Sequence, residues 1–219
     1  MTSWTEVLQG VRAAIGEARD ELGRLDAAAG DGDLGLTMTA AADGAAALAE
    51  RGGLDGKTTA EALRALGMEL AKVAPSTSGT LFARGLLQTS RAAAAMAADL
   101  GDAAGGAEQL SRVAQSAALV RAAIEGIQKA GKAQPGDRTM LDALVPAAQA
   151  LERAAVRGDS PKDAAKAAAD AANEGAEATK ALEPKVGRAS WIAERARGNI
   201  DAGAYAVSVI AAAIATAIA

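Results

Sequence analysis

The chain has 219 residues, enough for one sizeable hydrophobic core, and a net charge of −4 that gives it no bulk attraction for nucleic acid. It holds no cysteine and no histidine, which excludes disulfides, thiolate and imidazole metal ligands, and histidine bases. Any metal must therefore sit among oxygen ligands. Alanine occurs 63 times against two Trp, one Tyr and one Phe, a bias toward the best helix former and away from strand formers. An all-α fold is expected, with a core of small residues that leaves room for a cavity.

Apolar spacing predicts helices near 3–24, 35–51, 57–73, 78–99, 106–130, 138–157, 161–181 and 202–219, with a short turn around 188–196. Val7, Val11, Ile15 and Leu22 mark one face of the first; Leu110, Val113, Ala117 and Val120 mark the fifth. Gly52-Gly53, Gly101, Gly131 and Gly158 supply stops, and Thr58 and Ser160-Pro161 supply starts. The first helix lacks the basic start and apolar run of a signal peptide. Residues 202–219 carry no charge, but their many alanines, with Ser208 and Thr216, fit a buried final helix better than a membrane span. No linker divides the chain, so one domain over residues 1–219 in the cytoplasm is expected.

The connections fall into two groups. RGGLDGK, LGDAAGG and RGDSPKD are ordinary Gly/Asp turns, whereas DAAAGDGDLG, APSTSG, GKAQPGDRTM and EPKVGRASWIAERARGNIDAG are chemically richer. The rich connections are the odd-numbered ones. In an up-and-down helical array alternate connections share an end, so all four gather at one rim.

Asp26, Asp31 and Asp33 in the first rich loop suit a hard cation such as Mg²⁺, and Gly30, Gly32 and Gly35 let backbone N–H groups approach an anion. An EF-hand does not fit, because Ala42 stands twelfth from Asp31 where a Glu belongs. Ser76, Thr77 and Ser78 open a helix with hydroxyls and free N–H groups suited to phosphate. Gly131 to Asp142 offers backbone for a base or ribose, Met140 as an apolar cover, and Asp137 and Asp142 as polar caps. The last loop adds Arg188, Glu194, Arg195 and Arg197, then Asp201 and Gly203, and an Arg there suits phosphate charge. Taken singly, each loop also reads as an ordinary turn, a helix cap or a surface ion-pair cluster. Their combination at one rim points to nucleotide chemistry.

LDAAAGDGDLG, STSGTLFARG, GKAQPGDRTMLDALVPA and GRASWIAERARGNIDAGA together resemble, in order and spacing, the L subunit of dihydroxyacetone kinases. The resemblance spans residues 25–204. It implies an antiparallel eight-helix barrel with ADP or ATP at one rim, and a lipid-accessible interior in some members. Carried over by position, Asp26, Asp31 and Asp33 would hold two Mg²⁺ ions. Thr37, Thr77, Ser78, Gly131, Met140, Arg188, Asp201 and Gly203 would line the nucleotide, and Asp31, Asp33 and Arg188 would act on the transferring phosphoryl group.

The resemblance also implies a separate K subunit that holds dihydroxyacetone covalently through a histidine. In phosphotransferase-linked systems an M subunit rephosphorylates ADP that stays on L. A homodimer is compatible with this reading, and neither nucleic acid nor membrane is expected as a partner. Two departures stand out. Leu34 replaces the His of the usual GDGDHG, and Asn199, Ile200 and Ala202 replace His, Gln and Pro of GHQDPG. Alternatives are a kinase component for another sugar-like ketone or an acyl carrier, and a nucleotide-sensing module.

Overall fold

The computed structural model describes residues 3–102, 111–187, 190 and 196–218. Among them lie eight α-helices and no strand: α1 (Trp4–Ala27), α2 (Leu34–Glu50), α3 (Thr59–Val73), α4 (Thr77–Asp102), α5 (Arg112–Gly131), α6 (Leu141–Arg157), α7 (Pro161–Ala178) and α8 (Ala202–Ile218). A single 3₁₀ turn, Thr179–Ala181, extends α7.

Local chemistry sets most boundaries. Ser3 and Glu6 form a reciprocal capping box at the start of α1, and Thr58 and Glu61 form another before α3. Ser160 caps α7 ahead of Pro161, whose fixed φ suits a first helical position. Lys132 and Gly158 end α5 and α6 in the left-handed conformation. The sixth helix starts three residues later than periodicity predicts, because Arg138 has φ 62°, which no helix accommodates. The seventh tightens into the 3₁₀ turn over its last three expected residues. The expected turn at 188–196 falls mostly outside the described residues, as does the expected start of the fifth helix at 106–110.

Each helix packs against its neighbours in sequence, and α8 packs against both α7 and α1, so the array closes on itself. Short connections between packed neighbours make them antiparallel. The core runs in three linked zones: α4 to α8 around Leu141, Leu151 and Val207; α1, α2 and α8 around Ile15, Leu22 and Leu34; and α2 to α4 around Leu54, Leu66 and Leu70. Phe82 on α4 packs against all three.

Alanine dominates these contacts, so backbones come close. A Cβ at Gly35 on α2 would collide with the carbonyl oxygen of Arg19 on α1. The room left by small side chains shows as an open groove of about 810 Å³ between α4, α5 and α6, lined mainly by alanines. Arg121 and Glu152 pair in that lining at 2.5 Å. The final helix is a stave of the ring, and among the described residues no helix is long and apolar enough to cross a membrane.

Candidate nucleotide site

Closure of an antiparallel ring puts connections 1–2, 3–4, 5–6 and 7–8 at one end, and direct contacts tie the last three of them. Lys185 donates its N–H to the Asp137 carbonyl at 3.2 Å, with its ammonium 3.6 Å from the Asp137 carboxylate. Gly203 lies against Met140, and Gly131 lies beside Leu81 at the start of α4.

Asp26, Asp31 and Asp33 converge at this end, each offering one carboxylate oxygen within 4.8 Å of the others. Asp26 sits in the last turn of α1, and the other two are on the connection. Asp33 occupies the N-cap position of α2 without making a side-chain cap bond, which leaves its carboxylate to the cluster. Asp26 is half-buried and accepts the Leu34 N–H at 3.3 Å. Burial pushes the Asp26 carboxyl above its ordinary range; the Leu34 N–H opposes that shift, and the charges of Asp31 and Asp33 add to it. Gly30 packs so close that a Cβ there would press on Asp26 Oδ1. Crowded carboxylates with no nitrogen or sulfur donor fit a hard divalent cation, whose charge would relieve the repulsion among them.

Thr37 lies one turn into α2, its N–H donated to the Asp33 carbonyl. Ser76 caps α4 by accepting the Gly79 N–H, so Thr77 and Ser78 stand at the first two helical positions, where backbone N–H groups have no intrahelical partner. Both the positive helix end and these donors favour an anion.

In the third connection Asp142 accepts from the N–H groups of Gly136 and Thr139, and Asp137 accepts from Gln134. Met140, expected as an apolar cover, is buried as the N-cap residue of α6 and lies next to Gly203. It belongs to the buried cluster that also holds Leu141 and Ala143.

The last connection brings Asp201 and Gly203 to the start of α8. Asp201 accepts the Ala204 N–H at 2.8 Å and donates its own N–H to Thr179 Oγ1 at 2.8 Å. Burial pushes its carboxyl up to about 6; the Ala204 N–H and the Arg138 charge pull it down, and Asp142 pushes it up. Arg188, Trp191, Glu194 and Arg195 lie outside the described residues, and Arg197 is exposed and paired with Glu183 at 3.3 Å.

Two residues here carry no signal in the sequence. Arg138 reads as a solvated loop charge yet is 3% exposed, and Thr179 reads as an ordinary helical residue yet is fully buried. Only the three-dimensional approach of the third and fourth connections gives them partners.

A closed all-α ring thus carries an acidic, oxygen-only cluster and helix N-termini at one end. The DAK2 domain family matches residues 28–216, and the chain belongs to it. It is 41% identical over 198 residues to the D-erythrulose kinase of Mycolicibacterium smegmatis, covering 90% of this chain and 32% of that protein. It is 36% identical to the human triokinase/FMN cyclase, covering 95% of this chain and 34% of the other. The crystal structure of the C. freundii dihydroxyacetone kinase in complex with AMP-PNP and Mg²⁺ superposes with a TM-score of 0.72 at 30% identity, covering 97% of this chain and 33% of that one. The chain thus spans about a third of the length of these relatives, and its ring corresponds to the helical nucleotide-binding subunit type of that family.

Proposed function

We propose that this chain is a single nucleotide-binding domain, 1–219, that holds Mg-ADP or Mg-ATP at the rim and passes a phosphoryl group to a small ketose held elsewhere. The convergence of Asp26, Asp31 and Asp33 carries this reading. The relative crystallised with AMP-PNP and Mg²⁺ supports it.

Asp26, Asp31 and Asp33 would hold magnesium, two ions in this reading. When bound, that metal would neutralise charge developing on the phosphoryl group. The chain's own work is positioning. The Thr77 and Ser78 N–H groups and hydroxyls would take phosphate oxygens at the start of α4, and Thr37 would do so from the first turn of α2. Gly131, Met140, Asp201 and Gly203 would bound the nucleoside side, with Met140 contributing mainly backbone. Arg188 would add positive charge to the transferring group.

The acceptor is proposed to be dihydroxyacetone or a related ketose, because relatives are named as erythrulose kinases and triokinases. It would be presented by a K-type subunit, with an M-type phosphotransferase subunit as the donor where ADP is not exchanged. Calorimetric titration with Mg-ADP tests the site. The wild-type chain should bind, and Asp31→Asn and Asp33→Asn should each abolish binding while the far-UV helical signal stays unchanged. Equal affinity in both variants would remove the assignment.

A further inference from the structure

The third and fourth connections meet around one buried cation. Arg138 Nη2 donates to the carbonyls of Ala196 at 2.7 Å and Asn199 at 2.9 Å, and its Nε donates to the carbonyl of Thr179 at 3.3 Å. Its remaining nitrogen, Nη1, is buried with no hydrogen-bond partner among the described residues. The residue also holds a left-handed backbone, φ 62°, which costs a non-glycine residue about 1 kcal/mol or more. Thr179 completes the junction by donating to the Ala176 carbonyl and accepting the Asp201 N–H.

A buried guanidinium is a poor choice for stability alone, since an apolar side chain of similar volume often serves as well or better. What the planar fork adds is direction, because its donors point at fixed angles and hold several carbonyls at once. Two of the three carbonyls it holds belong to 196 and 199, just ahead of Asp201 and Gly203, while Met140 follows two residues after Arg138 itself. Burial lowers the Arg138 pKa and the Asp201 charge opposes the shift, so the two charged groups sense one another across the junction.

We propose that Arg138 is a positioning residue that, with Thr179, locks the start of α8 onto the third connection and so slows release of the nucleotide. The inference rests on the nucleotide reading of the rim. Arg138 acts on the ligand only through the backbone of 196–203.

The test compares Arg138→Met, Arg138→Lys and Thr179→Val with the wild type in two measurements. Stopped-flow displacement of a fluorescent ADP in Mg²⁺ should show dissociation accelerated about tenfold or more in Arg138→Met, equivalent to about 1.4 kcal/mol. Association should change little, Arg138→Lys should recover part of the loss, and Thr179→Val should shift in the same direction. Hydrogen exchange of the ligand-free proteins should show lost protection over 199–204 with α1 to α5 unchanged. Lower melting temperature with unchanged dissociation and unchanged exchange over 199–204 would overturn the proposal. If Arg138→Met does not fold, Thr179→Val decides by the same two readouts. If the wild type does not bind Mg-ADP, the nucleotide reading fails and the exchange measurement alone decides the lock: protection lost upholds it, protection kept overturns it.

Discussion

The backbone N–H of Leu34 donates to Oδ2 of Asp26 while the Leu34 side chain, 3% exposed, packs into the core of α1, α2 and α8. One residue therefore joins the carboxylate cluster to the hydrophobic interior. The Leu34 side chain, at the position of the His in the GDGDHG pattern that this loop resembles, is here a core contact.

Leu34→His should accordingly destabilise the chain by about 1–3 kcal/mol, because an imidazole at this depth loses water without a designed partner. Urea denaturation measures it. Unchanged stability would show that the site accommodates the polar ring and that Leu34 is not a core residue in solution.

Two glycines in helices should respond in opposite directions to the same change. Gly35→Ala drives a Cβ into the Arg19 carbonyl and should cost at least about 2 kcal/mol by forcing α1 and α2 apart. Gly10→Ala meets nothing within 4 Å and should stabilise α1 by about 0.5–1 kcal/mol through helix propensity. Melting curves of the pair check both signs at once. A stable Gly35→Ala variant would disprove the close α1–α2 approach.

The contrast explains what the sequence could show. Helix number, order and approximate extent follow from apolar spacing and caps such as Ser3–Glu6, which are local properties. The gathering of Asp31, Asp33, Thr77 and Gly131 at one end follows from connection parity. Arg138 is different: its partners at 179, 196 and 199 are distant in sequence, and nothing in QPGDRTM distinguishes a buried clamp from a solvated charge. The burial of Met140 was not legible either, because it depends on where α6 begins.

Asp201 makes a pH prediction. Its folded-state pKa, about 6, lies above the ordinary carboxylate value near 3.9, so the folded chain binds the proton more tightly than the unfolded one. Between those two values the native state carries more protons, so this residue's contribution to stability falls as pH rises from about 4 to about 6. The full effect is on the order of 2–3 kcal/mol. Asp201→Asn should remove that component, so its stability difference from wild type should change across the same window and stay flat above pH 7. A constant difference from pH 4 to pH 8 would show that the Asp201 carboxyl is not held in this environment.

The isolated polypeptide should not phosphorylate free dihydroxyacetone, and it cannot carry a phosphohistidine, having no histidine to modify. The proposed reading assigns the rich loops at the rim to carboxylates for a metal, helix N-termini for phosphate and backbone for a nucleoside. Among the described residues none supplies a base poised for a small polyol. The relatives it matches are about three times longer, so in them a further stretch of chain is available to hold an acceptor. In the proposed reading that role belongs to a K-type partner, for which the exposed Asp31 and Asp33 favour a surface of opposite charge. A triose-phosphate assay with Mg-ATP, run with and without a K-type subunit, decides the matter. Turnover should appear only in the mixture, and its rate should fall with added salt as the charged surfaces are screened. Turnover by the chain alone would place a ketose site within these helices and make the protein a self-sufficient kinase.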